Sequence, residues 1–166
     1  MNTLVLLGID VLMSFVSSGI IAQLYVWPRL RNADRGSALL PLVVPHLFLR
    51  FVGLSFLVPG VVSPSLPAAF AEPAAYGDFV AGLLAVAAAV ALLKRASWAI
   101  AAVWVFNLWG AADLLFALYQ GPHVGISPGA LGAAFYIPTA LVPPLLITHF
   151  LIFRLLLQPE RLAARA

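Results

Sequence analysis

The sequence contains no cysteine, and Asp, Glu, Lys and Arg together make up only 9% of its 166 residues. The lack of cysteine excludes disulfides, thiolate catalysis, cysteine-ligated zinc and covalently attached c-type haem. Soluble domains carry about 25% charged residues, far more than this chain does. The rest of the composition, 63% hydrophobic with a mean hydropathy of +1.05, indicates an integral membrane protein.

The chain also lacks the local motifs of common enzymes. It has no G-x-S-x-G, no H-E-x-x-H, no phosphate-binding loop and no dinucleotide-binding glycine pattern. Asp10 and Asp113 suggest an aspartate pair, but the local motifs of intramembrane proteases are missing around both. The sequence therefore neither identifies nor excludes a catalytic activity.

Long apolar runs dominate what is present. They predict an all-α membrane protein, a single integral membrane domain with five helices at about residues 3–27, 38–62, 77–93, 98–119 and 130–157. The segment 63–76, rich in proline and alanine, is predicted to be a loop. The third run is at the lower length limit for crossing, so residues 77–119 could instead form one re-entrant hairpin. Pro138, Pro143 and Pro144 predict a kink in the fifth helix.

Basic residues alternate between the predicted loops. Eight of the nine lie in the 29–35 loop, in the Lys94-Arg95 turn or in the C-terminal end, at Arg154, Arg161 and Arg165. By the positive-inside rule, the N-terminus is outside and the C-terminus cytoplasmic, as in a multi-pass protein of a bacterial inner membrane. The high pI is thus explained by topology, and no nucleic-acid partner is expected.

Few polar side chains remain at membrane depth, and Arg50 is the one whose charge is most costly to bury there. Arginine cannot lose its proton, so in the middle of an apolar helix it needs a counter-charge. Asp113 is the first choice of partner. Asp10, which heads a helical stripe with Ser14 and Ser17, is the second. The predicted ligand-binding residues are Arg50, His46, Asn107, Asp113, His149, Asp10 and Trp104.

Three functional hypotheses remain open. In the first, the protein binds or transports a small amphipathic or anionic ligand: Arg50 binds the anionic group, His46 and Asn107 hydrogen-bond to it, and Asp113 balances Arg50. In the second, His46 and His149 ligate haem b in a redox protein. Two histidines are too few to hold zinc, so no metal site is predicted.

In the third, the chain is a structural or accessory subunit in which the Arg50–Asp113 ion pair fixes helix register. The expected partners are the lipid bilayer and a second copy of the chain. The Ala/Gly-rich third span is the predicted packing face between copies.

Overall fold

The computed structural model describes residues 2–159; Glu160, Arg161 and Arg165 of the predicted tail lie outside that range. The protein is all-helical, with 83% helix and no strand among the described residues. Five helices are long and apolar enough to span a membrane, as predicted. They are α1 (Thr3–Leu30), α2 (Arg35–Leu57), α3 (Ala68–Leu93), α4 (Ala99–His123) and α5 (Ile137–Leu156).

Helix α1 is peripheral. Asn2 caps its start: the Asn2 side chain accepts a hydrogen bond from the Leu4 amide at 3.0 Å. No residue of its main part, Thr3–Ile21, is buried, and its packing is mainly against α5. Near its other end, the Arg154 guanidinium of α5 lies 3.7 Å from the centre of the Trp27 ring.

Helix α2 changes from α-helical to 3₁₀ geometry at Arg50. Asp34 caps its start, accepting from the Ser37 amide at 2.9 Å, and the hydrogen bonds from Ser37 lower the pKa of this carboxyl. The helix is α over Arg35–Leu49 and tightens to 3₁₀ over Arg50–Leu57. The last eight residues of α2 are thus wound more tightly than the rest, as is frequent at the ends of helices.

Helix α3 begins at Ala68, nine residues before the predicted start, so the loop prediction for 63–76 is wrong over its second half. Pro73 lies inside the helix and frees the carbonyl of Ala69 four residues back. The side chain of Gln120 on α4 donates a hydrogen bond to that carbonyl, which makes the proline tolerable.

Small residues let α3 pack closely against α2 and α4. Ala75, Ala81, Ala85 and Ala88 have no exposed surface, so they are buried inside one copy of the chain. A packing face between copies on this helix stays a prediction, and this alanine stripe is used inside the chain.

Helices α3 and α4 have 26 and 25 residues, each long and apolar enough to span a membrane, and are joined by a short turn. The predicted fifth span, 130–157, is divided. Pro128–Phe135 is a 3₁₀ segment with a positive φ of 53° at Gly132, and α5 proper starts at Ile137. The segment is held to the end of α2 by a hydrogen bond from the Ala133 amide to the Val61 carbonyl at 2.9 Å.

The basic loops lie together at one end of the bundle. Arg35 donates to the backbone carbonyl of Gln158, and Asp34 and Arg95 line the same surface depression. This juxtaposition follows from five antiparallel helices, which bring the 29–35 loop, the Lys94-Arg95 turn and the end of α5 to one side.

Two hydrophobic cores fill the bundle. One, around Leu39, Val103 and Ile152, lies towards the basic end, and the other, around Phe56 and Leu114, lies towards the opposite end. In the sequence of each of α2 to α5, the buried polar residues other than Thr139 lie between the two cores. The fold thus encloses a polar layer between two apolar ones.

Candidate functional site

Arg50 is the centre of this polar layer and has no exposed surface. Its Nη1 donates to Asp78 Oδ1 and to Asp113 Oδ2, the latter at 2.9 Å. Its Nη2 donates to the Gly110 carbonyl and lies 3.5 Å from His149 Nε2. One side chain of α2 therefore joins α3, α4 and α5.

The His149 ring has a defined tautomer. Arginine can only donate, so His149 Nε2 must accept from Arg50. The ring proton is then on Nδ1, which donates to Asn107 Oδ1 at 2.7 Å, while Asn107 Nδ2 donates to the His149 carbonyl at 3.3 Å. His149 is accordingly neutral in this network.

His46 is held in a similar way. Its Nε2 lies 2.8 Å from Thr148 Oγ1, and that hydroxyl donates its proton to the Leu145 carbonyl at 2.7 Å. The hydroxyl therefore accepts from His46, which places the imidazole proton on Nε2.

Two buried atoms of this site have no hydrogen-bond partner among the described residues: the Nε of Arg50 and the Nδ1 of His46. The first can only donate and the second can only accept. They belong to side chains one helical turn apart on α2. We refer to Arg50, His46, Asp78, Asn107, Asp113 and His149 as the Arg50 cluster.

The cluster has two carboxyl groups and only one permanently charged cation, Arg50. Asp78 and Asp113 both face the same guanidinium nitrogen, and their side chains are only 9% and 10% exposed. With both acids ionised and both histidines neutral, the cluster carries a net charge of −1. An uncompensated charge at such a position is costly, so the site favours one further positive charge.

Glycines make room for the cluster. A Cβ added at Gly53 would overlap the Asp78 side chain, and one at Gly77 would overlap the Asp113 carboxylate. A Cβ at Gly110 would lie 2.6 Å from His149 Cε1. The buried polar groups can approach each other only because these three positions carry no side chain.

The two carboxylates border a small cavity of about 40 Å³, whose other walls are apolar. Four of its lining residues also line a second, larger cavity: Phe70, Ala117, Leu118 and Pro138. That cavity measures about 490 Å³ and lies between the first half of α1 and the ends of α3 and α4, lined by apolar residues throughout. Asp113 also borders a surface groove beside Trp109.

The structure brings together five of the seven predicted residues: Arg50, His46, Asn107, Asp113 and His149. Asn107, predicted beside Arg50, is bonded to His149 instead, because both of its amide atoms are used there. Their ligand-binding role remains a prediction.

The other two predicted residues lie elsewhere. Asp10 is exposed on α1, a helix with no buried face along Thr3–Ile21. Trp104 packs against Phe153, with ring centroids 5.9 Å apart. Neither shares a hydrogen bond with the cluster among the described contacts.

Asp78 is the residue that sequence reasoning missed. The predicted third span begins at residue 77, so Asp78 lies at its boundary and is not counted among the polar residues at membrane depth. A signal was present, because Asp78 continues the stripe of small buried residues that includes Ala71, Ala74, Ala81 and Ala85 on one face of α3.

The haem hypothesis does not fit the two histidines. Haem b would stand between the imidazoles and take one nitrogen from each. Their centroids are 4.5 Å apart, and three of the four ring nitrogens have hydrogen-bond partners. The described residues also contain no group of three or more His, Cys, Asp or Glu side chains that could hold a metal ion.

Comparisons with known proteins place the chain in a family. A search of curated proteins found no match, and a search of solved structures found none either. A family profile described as a domain of unknown function, DUF8737, matches residues 6–157, which is most of the chain. The protein therefore belongs to the DUF8737 family.

Proposed function

We propose that this protein binds a small amphipathic molecule and moves it within or across the bilayer. The apolar part of the ligand would occupy the cavity between α1 and the ends of α3 and α4. Its head would reach the carboxylates of Asp78 and Asp113 through the shared wall at Phe70 and Leu118.

The observation that carries this proposal is that the two cavities adjoin, with four lining residues in common. Ligand sites are typically apolar clefts of about 300–1,000 Å³ with a few convergent polar groups. The larger cavity, about 490 Å³, supplies the apolar volume. The smaller one supplies two carboxylates.

The net charge of the Arg50 cluster determines which charge on the ligand's head group it favours. Arg50 already donates to two carboxylates and a carbonyl, so an anionic head would have to displace one of them. It would also add to a net negative charge. A cationic head, or a neutral one that donates hydrogen bonds, suits the site better than the anionic head considered from the sequence alone.

The orientation of the chain in the membrane determines from which leaflet a ligand reaches the larger cavity. With the basic end in the cytoplasm of a bacterial cell, the larger cavity would lie in the outer half of the inner membrane. Since α1 has no buried residue over Thr3–Ile21, a ligand dissolved in the bilayer would reach this cavity beside a loosely packed helix.

A matched series of ligands tests the proposal. The protein in lipid nanodiscs would be titrated calorimetrically with octylammonium, octanol and octanoate, with empty nanodiscs subtracted to remove partitioning into lipid. We expect octylammonium to bind at least about tenfold more tightly than octanoate, a difference of about 1.4 kcal/mol. Octanoate binding as tightly as octylammonium, or no binding beyond that of empty nanodiscs, would overturn the proposal.

Two variants that each remove one carboxylate test whether the preference arises at this site: one changes the site and the other is the control. Asp113→Asn removes a carboxylate that borders the small cavity, and should abolish the preference for the ammonium head. Asp10→Asn removes a carboxylate from the exposed face of α1, and should leave the preference unchanged.

A further inference from the structure

We propose that the Arg50 cluster exchanges one proton for one cationic ligand head, so that ligand binding releases a proton from the protein. This inference rests on the proposed function and adds that ligand binding is coupled to proton release. Without a cation, one carboxyl of the Asp78–Asp113 pair keeps its proton. When a cation enters, that O–H bond breaks, the proton passes to water, and the new carboxylate balances the cation.

The arrangement of the two acids is the first argument. Both face one nitrogen of a fully buried guanidinium, so they share a single counter-charge. Two ionised carboxylates beside one arginine leave a negative charge that the low-dielectric interior does not tolerate well. A proton and a cationic head are two ways of supplying the same missing charge, and they compete because there is only one such charge to balance.

The other groups that face the pair do not supply that charge. Helix α2 supplies Arg50, the one cation that the pair already shares, while its His46 bonds to Thr148 and makes no hydrogen bond to the pair among the described contacts. From α5 comes His149, which accepts from Arg50 and is neutral. Helix α4 adds only the Asn107 amide and the Gly110 carbonyl. The residues of α1 that line the larger cavity are all apolar: Leu4, Leu7, Gly8, Val11, Leu12 and Phe15.

The unpartnered atoms of the cluster are an independent observation. The Arg50 Nε–H needs an acceptor and His46 Nδ1 needs a donor, in side chains with no exposed surface. Buried polar groups are almost always hydrogen-bonded. The side chains of the cluster alone therefore leave one donor and one acceptor unsatisfied, which a fully self-satisfied ion pair fixing helix register would not do.

A permanently charged ligand gives the sharpest test. Octyltrimethylammonium carries no titratable proton, so any proton released must come from the protein. Its binding would be measured calorimetrically in nanodiscs, in two buffers of different ionisation enthalpy, across the neutral and mildly acidic pH range. The dependence of the observed enthalpy on the buffer gives the number of protons released, and we expect about one per bound cation at the lower pH values.

Asp78→Asn leaves one arginine and one carboxylate, and should release no proton on binding. Asp10→Asn is the matched control and should release as many as the wild type. Cation binding with no proton release at any pH in this range would overturn the exchange and leave the proposed function standing. Absence of cation binding would overturn the proposed function itself. The wild-type measurement decides between these results even where a variant does not accumulate.

Discussion

Replacing Arg50 by methionine should destabilise the folded protein by about 3–5 kcal/mol, the usual cost of removing one partner of a buried ion pair. Methionine fills a similar volume but leaves the Asp78 and Asp113 carboxylates beside each other with no counter-charge. It also removes the donor to the Gly110 carbonyl. Thermal unfolding of the purified variant in detergent, followed by loss of the monodisperse protein, measures this effect.

A variant with an uncharged Arg50 cluster distinguishes the effect of charge on stability from the effect of packing. The triple variant Arg50→Met, Asp78→Asn, Asp113→Asn removes all three charges, so no buried carboxylate is left without a counter-charge. We expect it to regain most of the lost stability without binding octylammonium. If Arg50→Met alone is as stable as the wild type, the ion cluster does not hold the helices together. If the triple variant is no more stable than the single one, the loss is not electrostatic.

Gly53→Ala should destabilise the protein although it adds only one methyl group. A Cβ at this position would lie 2.6 Å from Asp78 Cβ, an atom fixed to the backbone of α3, so α2 and α3 must move apart. Overpacking of this kind costs about 1–3 kcal/mol. Here it also lengthens the Arg50–Asp78 contact, so binding of the cationic head should fall with stability.

Gly19→Ala is the matched control for this substitution. It lies inside a membrane helix as well, but an added Cβ would meet nothing within 4 Å. Its melting temperature should stay close to that of the wild type. Equal losses in the two variants would show that the effect comes from the helix backbone and not from the contact with Asp78.

The number of helices and the importance of Arg50 were accessible from the sequence because each depends on local composition. Five apolar runs of sufficient length are visible in hydropathy alone. The argument that an arginine at mid-depth needs a carboxylate led to Asp113, which the structure places 2.9 Å from Arg50 Nη1. Neither inference needs the relative rotation of the helices.

Asp78 and Asp10 show where this reasoning fails. The start of α3 lies in a segment of alanine and proline, where hydropathy changes gradually and Pro73 suggests a loop. Only the neighbouring Gln120 side chain makes that proline compatible with a helix. Asp10 is predicted to face inward because it heads a polar stripe with Ser14 and Ser17, but in the structure it is exposed. Hydropathy does not report which helix is at the periphery of a bundle.

The central claim is that the Arg50 cluster and the adjoining apolar cavity form one ligand site. Photolabelling with an octylammonium that carries a diazirine on its chain, in nanodiscs and with peptide mapping by mass spectrometry, tests it most directly. The account predicts labelling at Phe70 and Leu118 that excess octyltrimethylammonium suppresses. Labelling confined to exposed positions such as Leu24, Phe48 and Leu157, and unaffected by the competitor, would contradict it.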